Sequence, residues 1–110
     1  MESGFVKVAD KSEVQTGKVK SLNIQGRDIL VANVGGTFYA IGLKCTHAGG
    51  DLSKGVLDGN VVTCPNHHAK FDVTTGKVVS PPKIGFFHPK ANDEPVYEVK
   101  VDQESVFVKL

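Results

Sequence analysis

Short runs of β-branched and aromatic residues, cut at regular intervals by glycine-containing turns, restrict this 110-residue chain to a sheet-based fold. The runs Phe5-Val6-Lys7-Val8, Val19 to Ile24, Asp28 to Val34 and Thr37 to Ile41 have the composition of strands, and several alternate in polarity. Between them stand Gln25-Gly26 and Gly35-Gly36, residue pairs suited to tight hairpin turns. Further on, Val56-Leu57 and Asn60 to Thr63 flank Asp58-Gly59, and Phe71 to Val73 and Lys77 to Val79 flank Thr74-Thr75-Gly76. The chain ends with Val96 to Val101 and Ser105 to Leu110 around Asp102-Gln103-Glu104. No segment combines caps with a stripe of helical period. The expectation is an all-β antiparallel sandwich or barrel of about ten strands, built as a single domain over residues 1–110.

Composition excludes several classes of function. Apolar residues make up 40% and charged residues 23%, enough to build a core and too balanced for a disordered chain. The net charge of +1, with lysines and carboxylates spread along the chain, offers no basic field for nucleic acid. No apolar run approaches the ~20 residues that span a bilayer, and Met1 to Phe5 does not resemble a targeting segment. The expected location is the cytoplasm, with no membrane partner. Two cysteines are too few for a disulfide framework, although one Cys45–Cys64 bridge is allowed by count alone.

The histidines change the reading of those cysteines. Cys45-Thr46-His47 is a Cys-x-His pair, Cys64-Pro65-Asn66-His67 is a Cys-x-x-His pair, and 16 residues separate them. Each pair follows a predicted strand, so two loops at neighbouring hairpin tips can face each other across a metal. Zinc sites with two cysteines and two histidines usually leave two to four residues between cysteines and three to five between histidines, wider than Cys-x-His allows. A two-iron cluster removes the difficulty, because both cysteines can ligate one iron and both histidines the other. A zinc-binding interaction module stays as an alternative.

These residues resemble the Rieske ferredoxins and Rieske domains, whose motif is Cys-x-His followed, after a spacer of this length, by Cys-x-x-His. The match is close over residues 45–72. The resemblance implies a 2Fe-2S cluster in a small cluster-binding subdomain at about residues 43–82. Cys45 and Cys64 would hold the buried iron, and His47 and His67, through Nδ1, the outer one. With neutral imidazoles replacing two thiolates, such a cluster is easier to reduce than an all-cysteine one, within a window of about −150 to +300 mV. Reduction would raise the pKa of both histidines, so the potential would fall with pH.

Respiratory and photosynthetic Rieske proteins add a disulfide clamp between the loops and two hydroxyls that bond sulfur. Here the corresponding positions are Gly50, Asn66, Ala69 and Phe71, so the resemblance points to the low-potential end of the range. One departure is His68, where many Rieske domains have glycine; the spacing favours His67 as the ligand and leaves His68 beside it. His88 reads as a loop histidine. The prolines of the stretch from Ser80 to Pro95 suit a surface connection outside the sheets, whereas the resemblance implies that Pro81-Pro82 covers the cluster from a third side; the apolar Ile84 to Phe87 would shield the cluster, form a docking patch or pack in the core. Lys44 and Lys70 are solvated charges that could steer an acidic redox partner.

The function implied is that of a soluble, monomeric one-electron carrier, not an enzyme in itself. It would pass electrons from a flavin-dependent ferredoxin reductase to a terminal oxygenase or another redox protein. A small Rieske-like subunit of a nitrite reductase is the alternative within the same family.

Overall fold

The computed structural model describes residues 4–44, 51–65, 69–80 and 93–110. Among them the chain forms eleven strands: β1 (Phe5–Asp10), β2 (Val19–Ile24), β3 (Arg27–Val34), β4 (Thr37–Gly42), β5 (Val56–Asp58), β6 (Val61–Thr63), β7 (Lys70–Asp72), β8 (Val78–Ser80), β9 (Val96–Tyr97), β10 (Val99–Asp102) and β11 (Ser105–Lys109). Single 3-10 turns occupy Lys11–Glu13 and Leu52–Lys54. All pairings are antiparallel, so the all-β expectation holds.

The strands make three sheets, ordered β1-β11-β10, β2-β3-β4-β9 and β5-β6-β7-β8. The second is the middle layer. Along β3, Ile29, Leu30, Val31 and Ala32 are all fully buried, the mark of a strand covered on both faces. Because neighbouring side chains point to opposite faces, Ile29 and Val31 join a core with Val14, Phe38, Ala40, Val106 and Val108, towards the first sheet. Leu30 and Ala32 join another with Ile41, Leu43, Leu52, Val62, Cys64, Ala69, Phe71 and Val73, towards the third. The scaffold thus shares one strand between two cores.

Pairing register fixes the two-residue turns. At the β2–β3 hairpin, Ile24 pairs with Arg27 and both Gln25 and Gly26 have positive φ, 53° and 81°, as a two-residue type I′ turn requires. At the β5–β6 hairpin, Asp58 pairs with Val61, so the central residues are Gly59-Asn60 rather than Asp58-Gly59. Only Gly59 of the two has positive φ, the pattern of a turn whose first central residue is glycine.

The run from Val96 to Val101 was expected as one strand and is two. β9 pairs with β4 in the second sheet, while β10 pairs with β11 in the first. The chain changes sheets at Glu98, whose carbonyl accepts from the Lys109 amide at 2.9 Å. Alternation is the same on both sides of Glu98, so periodicity reports strand but not which sheet receives it.

Candidate metal centre

The third sheet carries the candidate site, and the two cysteine-histidine loops leave its end and that of β4. The first loop is closed at its base by the Leu52 amide donating to the Leu43 carbonyl at 3.0 Å and by an antiparallel bridge between Lys44 and Asp51. Asp51 then starts the following 3-10 turn, its carboxylate accepting from the Ser53 amide at 2.9 Å and from the Ser53 hydroxyl, an N-cap arrangement that satisfies a donor left open by the turn. The second loop is closed by the Cys64 amide donating to the Ala69 carbonyl at 2.7 Å, directly beyond the Thr63–Lys70 pair.

Both bases stand on one floor. Leu43 and Leu52 from the first loop, and Cys64 and Ala69 from the second, belong to a single apolar cluster with Phe71 beneath them. Leu52, Ala69 and Phe71 are fully buried, and Cys64 is 1% exposed. Gly55, just after the first loop, runs so close to Thr63 that a Cβ would overlap the Thr63 carbonyl oxygen. The chain leaving one loop therefore presses against the strand entering the other.

Of the four residues singled out by spacing, Cys64 is placed by the structure. Cys45, His47 and His67 lie outside the described residues, as do His68, His88, Pro81-Pro82 and Ile84 to Phe87. Among the described residues no group of three or more His, Cys, Asp and Glu side chains gathers to hold a metal, which follows from where those three ligands fall. What the described part offers suits a thiolate-ligated cluster: a buried cysteine on an apolar floor, where an uncompensated thiolate would be costly and a metal-bound one is neutralised. Ala69 and Phe71, both within this floor, bring no hydroxyl to it.

A further tie between the sheets was not legible in the sequence. The segment entering β9 is pinned to both loop-bearing elements. The Gly42 amide at the end of β4 donates to the Pro95 carbonyl at 3.0 Å, and the Glu94 amide donates to the Gly76 carbonyl at 2.7 Å in the turn after β7. Asp93 adds its carboxylate, accepting from the Val78 amide at 2.9 Å. Glu94 is only 5% exposed. A Cβ at Gly42 would strike the Glu94 carboxylate, and one at Gly76 would strike the Glu94 carbonyl and approach Val96 Cγ2 to 2.7 Å. The stretch from Ser80 to Pro95 is thus, at its described end, part of the frame.

The turn after β7 has its own anchor in Asp72, whose carboxylate accepts from the Thr74 amide at 2.8 Å and from the Thr74 hydroxyl at 2.6 Å. Burial pushes the Asp72 pKa up, but the Thr74 hydroxyl and amide, the Asn60 side chain and the Thr75 amide outweigh it and hold the carboxyl below its ordinary value.

Comparison with known proteins agrees with this frame. The family described as the Rieske [2Fe-2S] domain matches residues 4–88. A ferredoxin called CarAc from Metapseudomonas resinovorans is 37% identical over 101 residues, covering 88% of this chain and 94% of the relative. The ferredoxin component of the naphthalene 1,2-dioxygenase/salicylate 5-hydroxylase systems of a Ralstonia species is 30% identical over 110 residues, 100% of this chain and 99% of the relative. Among solved structures, the ferredoxin in a complex of reduced oxygenase and oxidised ferredoxin of carbazole 1,9a-dioxygenase superposes with a TM-score of 0.81 at 35% identity, covering 98% of this chain and 94% of that one. With the family match spanning most of the residues, full-length relatives and a shared fold, the chain belongs to the Rieske [2Fe-2S] family as a Rieske-type ferredoxin, an electron-transfer protein.

Proposed function

We propose that Cys45 and Cys64 bind the inner iron and His47 and His67 the outer iron of a 2Fe-2S cluster, inside a lobe spanning about residues 43–82 of a single domain. The observation that carries this reading is that the bases of both loops, one containing Cys45-Thr46-His47 and one starting at Cys64, share the same buried floor of Leu43, Leu52, Cys64, Ala69 and Phe71. When bound, the cluster supplies one-electron chemistry at a potential set partly by hydrogen bonds to its sulfurs. The chain's part is to hold the ligands. The apolar floor keeps water from the cysteine side, and His47 and His67 would be the residues through which an electron leaves.

The protein acts as a carrier that receives electrons from a flavin-dependent ferredoxin reductase and gives them to a terminal oxygenase or another acceptor. The Ralstonia relative supports this, being the ferredoxin component of dioxygenase and hydroxylase systems and aligning over 99% of its length, as does the carbazole 1,9a-dioxygenase structure, in which a ferredoxin is in complex with the oxygenase. It works as a monomer in the cytoplasm, and no helix among the described residues is long and apolar enough to cross a membrane. The same relatives disfavour the nitrite reductase subunit and the zinc module.

Iron and acid-labile sulfide assays with the visible spectrum test the assignment. Two irons and two sulfides in a red-brown protein are expected, with the pigment lost or its spectrum altered in His47→Ala and His67→Ala. A colourless protein with one zinc, or unchanged pigment in both variants, overturns it.

A further inference from the structure

In the cluster-bearing stretch, residues 43–82, four lysines and three aspartates nearly balance. The third sheet nonetheless sorts charge along its strands. Its cross-strand register places Val56, Thr63, Lys70 and Ser80 in one row, next to the loops. The following row, Leu57, Val62, Phe71 and Val78, turns to the core. The next row has Asp58, Val61 and Asp72, at the turn end of the sheet.

The outward row beside the loops therefore holds one cation, two hydroxyls and an apolar Val56 that is 69% exposed, with no carboxylate. Lys44, at the base of the first loop, and Lys54, two residues before Val56, are exposed as well. Among the described residues the ion pairs are Lys7–Asp10 and Lys20–Glu13, both on the scaffold side. Asp51, the nearest acid to Lys44 in the chain, turns its carboxylate onto Ser53. Lysines at the loop end are thus left to act on the solvent.

We propose that the outer face of the third sheet at its loop end, centred on Val56 and Lys70 and flanked by Lys44 and Lys54, is the docking surface for a redox partner that presents a carboxylate-rich patch around an apolar spot. The proposal rests on the cluster assignment above and adds the chemistry of the partner's surface. A positive end that also carries the electron exit orients an acidic partner before contact and speeds productive encounter, an effect weakened by salt. The small exposed apolar contact suits a transient complex.

The reduced holoprotein is mixed with hexacyanoferrate(III) or with hexaamminecobalt(III), and oxidation is followed by stopped flow at increasing salt. One electron leaves the protein for each hexacyanoferrate(III) reduced to hexacyanoferrate(II), or each cobalt(III) reduced to cobalt(II). The rate with the anionic oxidant is expected to fall several-fold between about 0.01 and 0.5 M salt, and the rate with the cation to rise or stay level. Lys70→Glu and Lys54→Glu should flatten or reverse the anion's salt slope, while Lys109→Glu on β11, with the same change in net charge, leaves it in place. As a readout independent of electron transfer, amide shifts of the 15N-labelled protein titrated with polyglutamate should move at Lys54 to Leu57.

A salt slope of opposite sign, equal effects of Lys70→Glu and Lys109→Glu, or polyglutamate shifts confined to the first two sheets overturns the proposal. Stronger shifts with an oligonucleotide than with polyglutamate at equal charge also overturn it, assigning the face to nucleic acid. These failures occur in a coloured protein, whereas failure of the cluster assignment gives a colourless one.

Discussion

The backbone amide of Glu94 donates to the carbonyl of Gly76 at 2.7 Å, and this bond ties the strand that closes the second sheet to the turn that ends the loop-bearing hairpin of the third. The approach is close enough that neither Gly76 nor Gly42 has room for a Cβ. Gly76 has φ +75° as well, a region costly for other residues.

Gly76→Ala should therefore combine two penalties, backbone strain and a clash with backbone atoms of Glu94 that cannot rotate away. The expected loss is about 2–4 kcal/mol in urea unfolding. Gly35, with φ +61° and open space where a Cβ would go, supplies the comparison. Gly35→Ala should cost only about 1–2 kcal/mol, the strain alone. Equal losses at the two positions would mean that the Glu94 contact does not hold the sheets together.

Asp72 predicts how the fold responds to acid. Its carboxyl is held below its ordinary value, burial being outweighed by Thr74, Asn60 and Thr75. A lowered folded-state pKa means stabilisation that is complete above the unfolded value of ~4 and lost as pH falls through the folded one. Asp72→Asn should be less stable than the parent at pH 7, and the two unfolding curves should converge as pH drops below about 4. A stability difference that stays constant down to strong acid would remove Asp72 from the acid response.

Much of this architecture is readable from residues. The run Asp28 to Val34 shows a strand, Gln25-Gly26 marks its hairpin, and the Cys-x-His and Cys-x-x-His spacing favours two irons over one zinc. Other features depend on relations between distant residues. Glu94 looks like a surface acid because nothing in Asn92-Asp93-Glu94-Pro95 announces that Gly42 and Gly76 make room for it. The change of sheet at Glu98 is hidden by unbroken alternation, and the polarity of the third sheet appears only once Val56, Thr63, Lys70 and Ser80 are aligned by register. Charge spread evenly along a chain can still be segregated in space.

The floor under the loops predicts an effect of added hydroxyls. Ala69 and Phe71 are fully buried in the cluster that contains Cys64, and neither donates a hydrogen bond. Ala69→Ser and Phe71→Tyr, alone and together, should raise the reduction potential within the family window of about −150 to +300 mV, because donors directed at sulfur stabilise the more negative reduced state. A redox titration checks this. An unchanged potential in a stable double variant would show that the hydroxyls do not reach the sulfurs, and a hydroxyl left without a partner would itself cost about 1–3 kcal/mol.

Leu52 offers the clearest separation of scaffold from surface. It is fully buried, its amide closes the base of the first loop on Leu43, and it shares the floor with Cys64 from the second. Truncation should leave a cavity between the two loop bases rather than at the edge of the molecule. Leu52→Ala is expected to cost about 2–5 kcal/mol and to speed the loss of visible absorbance in the presence of an iron chelator, since cluster retention depends on both loops being held at a fixed separation. Val56, only four residues later but 69% exposed, should tolerate alanine within about 0.5 kcal/mol and keep the parent rate of pigment loss. If Leu52→Ala unfolds more readily yet releases iron no faster, the floor stabilises the fold without governing the loops.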